Sequence, residues 1–175
     1  MKILKLLSLV VVLFLMSCSS VRVTTDYDSQ TDFGEYKTFA FYKKGIDKAP
    51  ISDLDKKRIM RAIEFEMLAK GFKKSNNPDL LVSIFTKSRE KVNVTDNRFA
   101  PQWHPWYYGG SQIRVTQKTE GTLFIDFIDK DKKELVWQGI GTGALRMHNV
   151  EKKEARVKEF VKEVLEKYPP GADTK

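Results

Sequence analysis

Five polar residues, Asp129-Lys130-Asp131-Lys132-Lys133, separate two runs of β-forming residues, Gly121 to Ile128 and Leu135 to Leu145. Parallel neighbours in a sheet need a crossover of a dozen residues or more, whereas a short polar turn joins antiparallel ones. The two runs therefore predict a hairpin, and the rest of the chain must be built around it. Upstream, Val21 to Tyr27 alternates like a strand, and Lys37 to Tyr42 is a second strand with Phe39 and Phe41 on one face. Lys43 to Pro50 reads as a loop. Leu80 to Val94 is a long strand whose polar middle, Thr86 to Lys91, predicts that part of it is exposed. Ile113 to Lys118 precedes Gly121 either as a separate strand or as part of one long strand interrupted near that glycine.

Two segments carry the helical period. Ser52 before Asp53-Leu54-Asp55 supplies a capping hydroxyl and first-turn acids, where the helix dipole favours negative charge. A helix is predicted from 53 to 70, with Ile59, Ala62, Ile63, Phe65, Met67 and Leu68 on its apolar face and Gly71 as a left-handed cap. Val150 to Tyr168 repeats apolar residues at spacings of three and four through Val157, Phe160, Val161, Val164 and Leu165, until Pro169-Pro170 stops it. The order β-β-α-β-β-β-α predicts an α+β fold: a mainly antiparallel sheet of about five strands with two helices packed on one face. Neither a repeat nor a linker divides residues 21–170, which read as a single domain followed by a tail at 171–175.

The first residues, MKILKLLSLVVVLFLMSCSS, have Lys2 and Lys5, an apolar run from 6 to 16 and then small residues, the pattern of a secretory signal. That run is well short of the roughly 20 residues of a spanning helix. Leu15-Met16-Ser17-Cys18 resembles the lipobox of bacterial lipoproteins, although Met16 replaces the usual small residue. The resemblance implies a signal peptide over 1–17, a diacylglyceryl group on Cys18, and a lipidated N-terminus at 18–20. The alternative is an ordinary secretory signal ending at a cysteine without a role. Ser19 in place of Asp implies transport to the outer membrane, and the absence of acids after Cys18 implies the periplasmic face. Two or more acyl chains make a stable anchor, so the membrane becomes a partner through the N-terminal lipid.

This address excludes nucleic acid, although the 175-residue chain carries 31 Lys and Arg against 23 Asp and Glu. The basic residues lie in scattered pairs, such as Lys73-Lys74 and Lys152-Lys153, which read as a solvated face before they read as a polyanion site. With one Cys and two His, no disulfide framework, cysteine zinc site or iron–sulfur cluster fits, and neither a metal nor a cofactor is expected.

Further stretches resemble a family of bacterial lipoproteins catalogued as domain of unknown function forty-one thirty-six. They include Asp26-Tyr27-Asp28, Tyr36 to Phe41, Lys70-Gly71-Phe72, Asp79 to Val82, Glu120 to Asp126, Leu135 to Gly139 and Tyr168-Pro169-Pro170. The resemblance spans nearly the whole chain behind Cys18 and implies an envelope lipoprotein with an α+β domain. It brings no activity and no catalytic residues.

Gly139-Ile140-Gly141-Thr142-Gly143-Ala144 fits the dinucleotide fingerprint, but no helix opens directly from it and no parallel βαβ unit surrounds it. Its glycines instead leave room on one strand face for a close neighbour. Asp126, inside an apolar run, needs a partner such as Arg114 or Arg146 if it faces the core, and is ordinary if it faces out. Pairing it with Glu120 as an acid–base couple fails, because six residues along a strand span about 20 Å. His104 and His148 have no nucleophile spaced to them. The segment Phe99 to Ser111 gathers Trp103, His104, Trp106, Tyr107 and Tyr108 among Pro and Gly, and these rings are candidate contacts for an envelope protein, glycan or lipid. Folding back to cap the core is the competing role. The functional expectation is a non-enzymatic, lipid-anchored envelope protein with a binding or assembly role; the alternative is a periplasmic hydrolase or carbohydrate-active enzyme using exposed acids.

Overall fold

The computed structural model describes residues 21–96, 113–144 and 149–171. In chain order the elements are β1 (Arg22–Tyr27), β2 (Thr38–Phe41), α1 (Lys43–Ile46), α2 (Asp53–Ala69), β3 (Lys73–Lys74), β4 (Leu80–Asp96), β5 (Ile113–Asp129), β6 (Leu135–Ala144) and α3 (Val150–Glu166). They form a six-stranded sheet in the order β1-β6-β5-β4-β2-β3. The predicted hairpin is β5–β6, and β4–β5 and β6–β1 are also antiparallel. The parallel pairs among the described residues are β2–β4 and β2–β3.

The α+β class and the mainly antiparallel sheet agree with the sequence pattern, but the described residues form six strands and three helices. The additions are β3, two residues long, and α1, four residues long within the stretch read as a loop. Neither is long enough to show a period. β5 is continuous: Gly121 pairs with both Ser88 and Gly143, so the ladder runs through the glycine.

Alternation in β5 separates two faces. Leu123, Ile125 and Phe127 are buried beneath the helices, while Thr122, Phe124 and Asp126 on the other face are partly exposed. α2 packs through Ile59, Ala62, Ile63 and Met67, and α3 through Val157, Phe160, Val161, Val164 and Leu165. Phe65 and Leu68, expected on the buried face of α2, are 70% and 49% exposed. At 3.6 residues per turn, Phe65 lies about 200° around the helix from Ile63, so hydrophobicity alone misplaced it. α3 stops at Glu166, but Tyr168 beyond it is buried, its ring 4.7 Å from Phe127 and 5.3 Å from Trp137. This aromatic cluster closes the core at the C-terminal ends of the helices.

Gly139 and Gly141 determine how closely α3 approaches. A Cβ on Gly141 would come within 2.9 Å of the Phe160 ring and of Val164, and one on Gly139 would collide with Trp137 and Val164. Their strand is antiparallel to both neighbours, which agrees with the close-packing role read from sequence. No helix among the described residues is long and apolar enough to cross a membrane.

Candidate functional site

α2 and α3 run in the same direction: Lys153 Nζ donates to Asp55 Oδ2 at their first turns, and Lys70 Nζ reaches the Tyr168 carbonyl beyond their last turns. Ser52 caps α2 by accepting from the Asp55 amide, and Asn149 caps α3 by accepting from the Glu151 and Lys152 amides. Next to these N-termini, where α2 and α3 meet β4 and β5, lies a cleft of about 240 Å³. Ile59, Leu123, Val157 and Phe160 form much of its apolar wall, with Pro50 and Ile51 from the segment that leads into α2.

Its polar lining includes Asp55, Thr86, Ser88, Lys153 and Arg156. Asp55 accepts from Lys153 Nζ at 2.7 Å, Arg58 Nη1 at 2.8 Å and Ser52 Oγ at 2.9 Å. Burial pushes its pKa up, but these donors together outweigh burial and hold the carboxyl below its ordinary value. Arg156 is buried, with Nη1 2.8 Å from Glu159 and its guanidinium 5.2 Å from the centre of the Phe160 ring. Both cations are thus engaged by carboxylates. Lys87, which also borders the cleft, has its Nζ over the rings of Phe85 and Phe124, at 5.8 and 5.6 Å.

Thr86 opens the polar strand segment, part of which is expected to be exposed, but Thr86 itself is not in that part: it is 8% exposed, and its hydroxyl has no partner among the described residues. It lies opposite Leu123 in the ladder, on the helix-covered face, whereas Lys87, Ser88 and Arg89 beyond it are exposed. Sequence polarity therefore marked the point where the helices stop covering the sheet.

Asp126 does not line this cleft. It accepts from Gln138 Nε2 at 2.7 Å and lies opposite Ser83, which is buried beside α1; the side chains of Arg114 and Arg146, weighed from sequence, lie outside the described residues. Burial raises the pKa of Asp126, and the Gln138 bond only partly opposes that. A Cβ on Gly45 would collide with Ser83 Oγ, so α1 approaches this face through its glycine.

The candidate contacts Trp103, His104, Trp106, Tyr107 and Tyr108 lie outside the described residues, as do Cys18 and His148. The segment containing the five loop residues connects Asp96 and Ile113, which are paired at the end of the β4–β5 ribbon. Among the described residues, no three His, Cys, Asp or Glu side chains gather as metal ligands. The cleft residues Asp55, Thr86, Lys153 and Arg156 were not identified from sequence; Lys152-Lys153 registered only as one of several basic pairs.

Cross-strand register places the N-terminal entry at the cleft end of the sheet. Arg22 pairs with Thr142, Thr142 with Thr122, and Thr122 with Lys87. Val21, just before this row, is buried in the core.

Residues 23–170 match the family described as domain of unknown function (DUF4136). No curated protein matches the chain. Among solved structures, a PDZ domain protein from Parabacteroides distasonis is 17% identical with a TM-score of 0.53, over 94% of this chain and 40% of that one. The chain thus spans well under half of that relative's length, and the likeness is one of fold. The PelC dodecamer from Paraburkholderia phytofirmans is 13% identical with a TM-score of 0.42, over 83% of this chain and 94% of that one. A minor lipoprotein from Acinetobacter baumannii is 9% identical with a TM-score of 0.36, over 75% of this chain and 88% of that one.

Proposed function

The chain belongs to the DUF4136 family, and we propose that it is a lipid-anchored protein of the bacterial cell envelope that binds a ligand in the cleft between α2 and α3 and catalyses no reaction. The anchor rests on the signal-like residues 1–17 and on Cys18 behind Leu15-Met16-Ser17. Ser19 favours the outer membrane and its periplasmic face.

The cleft carries the binding reading. A concave, mostly apolar site with a few placed polar groups is the usual form of a ligand pocket. Its carboxylate, Asp55, is held ionised by three donors and is committed to joining the helices, which makes it a poor general acid. The Trp103 to Tyr108 segment is a second recognition element in this proposal. Replacing Trp103, Trp106 and Tyr107 by Ser should reduce association with an envelope partner while leaving unfolding cooperative.

Labelled fatty acid fed to cells tests the anchor. It should enter the wild-type protein and not Cys18→Ser, and only the wild type should sediment with outer membranes. Equal labelling or equal sedimentation of the two would overturn the anchored reading.

A further inference from the structure

We propose that the cleft takes one hydrocarbon chain of a phospholipid drawn from the adjoining bilayer. This rests on the binding reading above and names its ligand class. At about 240 Å³ the cavity is smaller than the roughly 300–1,000 Å³ of pockets that enclose a drug-sized ligand. It suits a narrow segment, with the rest of the molecule outside. Ile59, Leu123, Val157 and Phe160 offer that segment apolar contact in place of its neighbours in the bilayer, and its entry removes this apolar wall from water.

The charges at the rim argue against selection by charge. Lys153 is paired with Asp55 and Arg156 with Glu159, so an anionic ligand would have to displace a carboxylate from either cation, and the third cation, Lys87, turns its Nζ away over the rings of Phe85 and Phe124, the latter on the other face of the sheet. A hydrocarbon chain needs no such exchange, and its headgroup stays outside in water. The position of the cleft supplies the source. Arg22 enters the sheet in the row that ends at Lys87 on the cleft, and Cys18 lies three residues before Val21, a reach of roughly 11 Å. Anchoring at Cys18 therefore holds this end of the domain, and with it the cleft, against the membrane surface.

The test uses full-length protein in native envelopes of cells fed a diazirine fatty acid that enters their phospholipids. After irradiation, peptides carrying Ile59, Leu123 or Phe160 should bear an adduct of phospholipid mass. Leu123→Trp, which fills the cavity, should lower the yield at least fivefold, and Lys152→Ala should leave it unchanged. Should Leu123→Trp fail to fold, Ile51→Trp at the rim tests the same occupancy. Full-length protein in vesicles of phosphatidylcholine carrying the probe should give the same yield at low and high salt. Adducts confined to other peptides, an undiminished yield in the filled variant, a mass equal to the chain's own Cys18 diacylglyceryl group, or loss of yield with salt would each overturn the proposal. Acylation and sedimentation read in the same cells report on the anchor separately, so the two ideas fail independently.

Discussion

Lys153 Nζ lies 2.7 Å from Asp55 Oδ2, joining the first turns of α3 and α2 across 98 residues of sequence. Asp55 also takes Arg58 and Ser52, so removing it leaves three donors without their acceptor, whereas removing Lys153 leaves two of the three bonds in place. Asp55→Ala should cost about 1–2 kcal/mol in urea unfolding. Lys153→Ala should cost less than about 1 kcal/mol, because the amine is partly solvated. Equal losses would show that Lys153 supplies the whole effect.

Three carboxyls make the fold sensitive to acid. Asp79 is held below its ordinary pKa first by the Lys37 amide, against burial, and then by Thr38. In Asp55 and Asp129 burial is the largest influence and acts upward, but hydrogen bonds outweigh it; those of Asp129 come from the Lys132 amide, the Tyr36 hydroxyl and the Asp131 amide. A depressed folded pKa contributes stability above the unfolded value of about 3.9, and that contribution is lost as pH falls through the folded value. On account of these three groups the urea midpoint should stay level from pH 7 to about pH 5 and fall below about pH 4. Asp79→Asn should lower it at pH 7 and make the acid decline shallower.

Asp126 should show the opposite dependence. Its folded pKa is raised, so its contribution is present below the unfolded value and lost as pH rises through the folded one. Asp126→Asn keeps an acceptor for Gln138 without the desolvated charge. The variant should exceed the wild type in urea midpoint at pH 7, with the difference gone near pH 3; a lower midpoint at pH 7 would show that the charge is stabilising.

Gly139 and Gly141 of β6 should tolerate no side chain. Gly141→Ala places a methyl group 2.9 Å from Phe160 and Val164 and should destabilise by about 1–3 kcal/mol through overpacking. Gly71, at φ +88° with nothing within 4 Å of a built Cβ, should lose about 1 kcal/mol on change to Ala through backbone strain alone. Thermal unfolding of the two variants separates crowding from strain.

Phe160 and Phe65 differ in burial, not in chemistry. Phe160 is 1% exposed and Phe65 is 70% exposed. Phe160→Ala should cost about 3–5 kcal/mol, and Phe65→Ala should stay within about 0.5 kcal/mol. Comparable losses in urea unfolding would mean that the outer face of α2 is covered in solution.

The local periods of the chain determined much of this architecture. Polar residues 129–133 between two β runs specified an antiparallel hairpin, Ser52 and Gly71 bracketed α2, and Val157 to Leu165 marked the inward face of α3. These features depend on residues a few positions apart, where chain geometry alone relates sequence to structure. Tertiary structure decided the rest. Phe65 and Met67 look equally apolar in sequence, and only docking on the sheet made one exposed and the other buried. The parallel pairing of β2 with β4 has no local signal, because it joins Phe39 to Leu80 through a two-helix crossover. The cleft is the clearest such case. Thr86, Lys153 and Asp55 are unremarkable where they stand in the chain, and they became one site because two parallel helices begin together where their cover of the sheet ends.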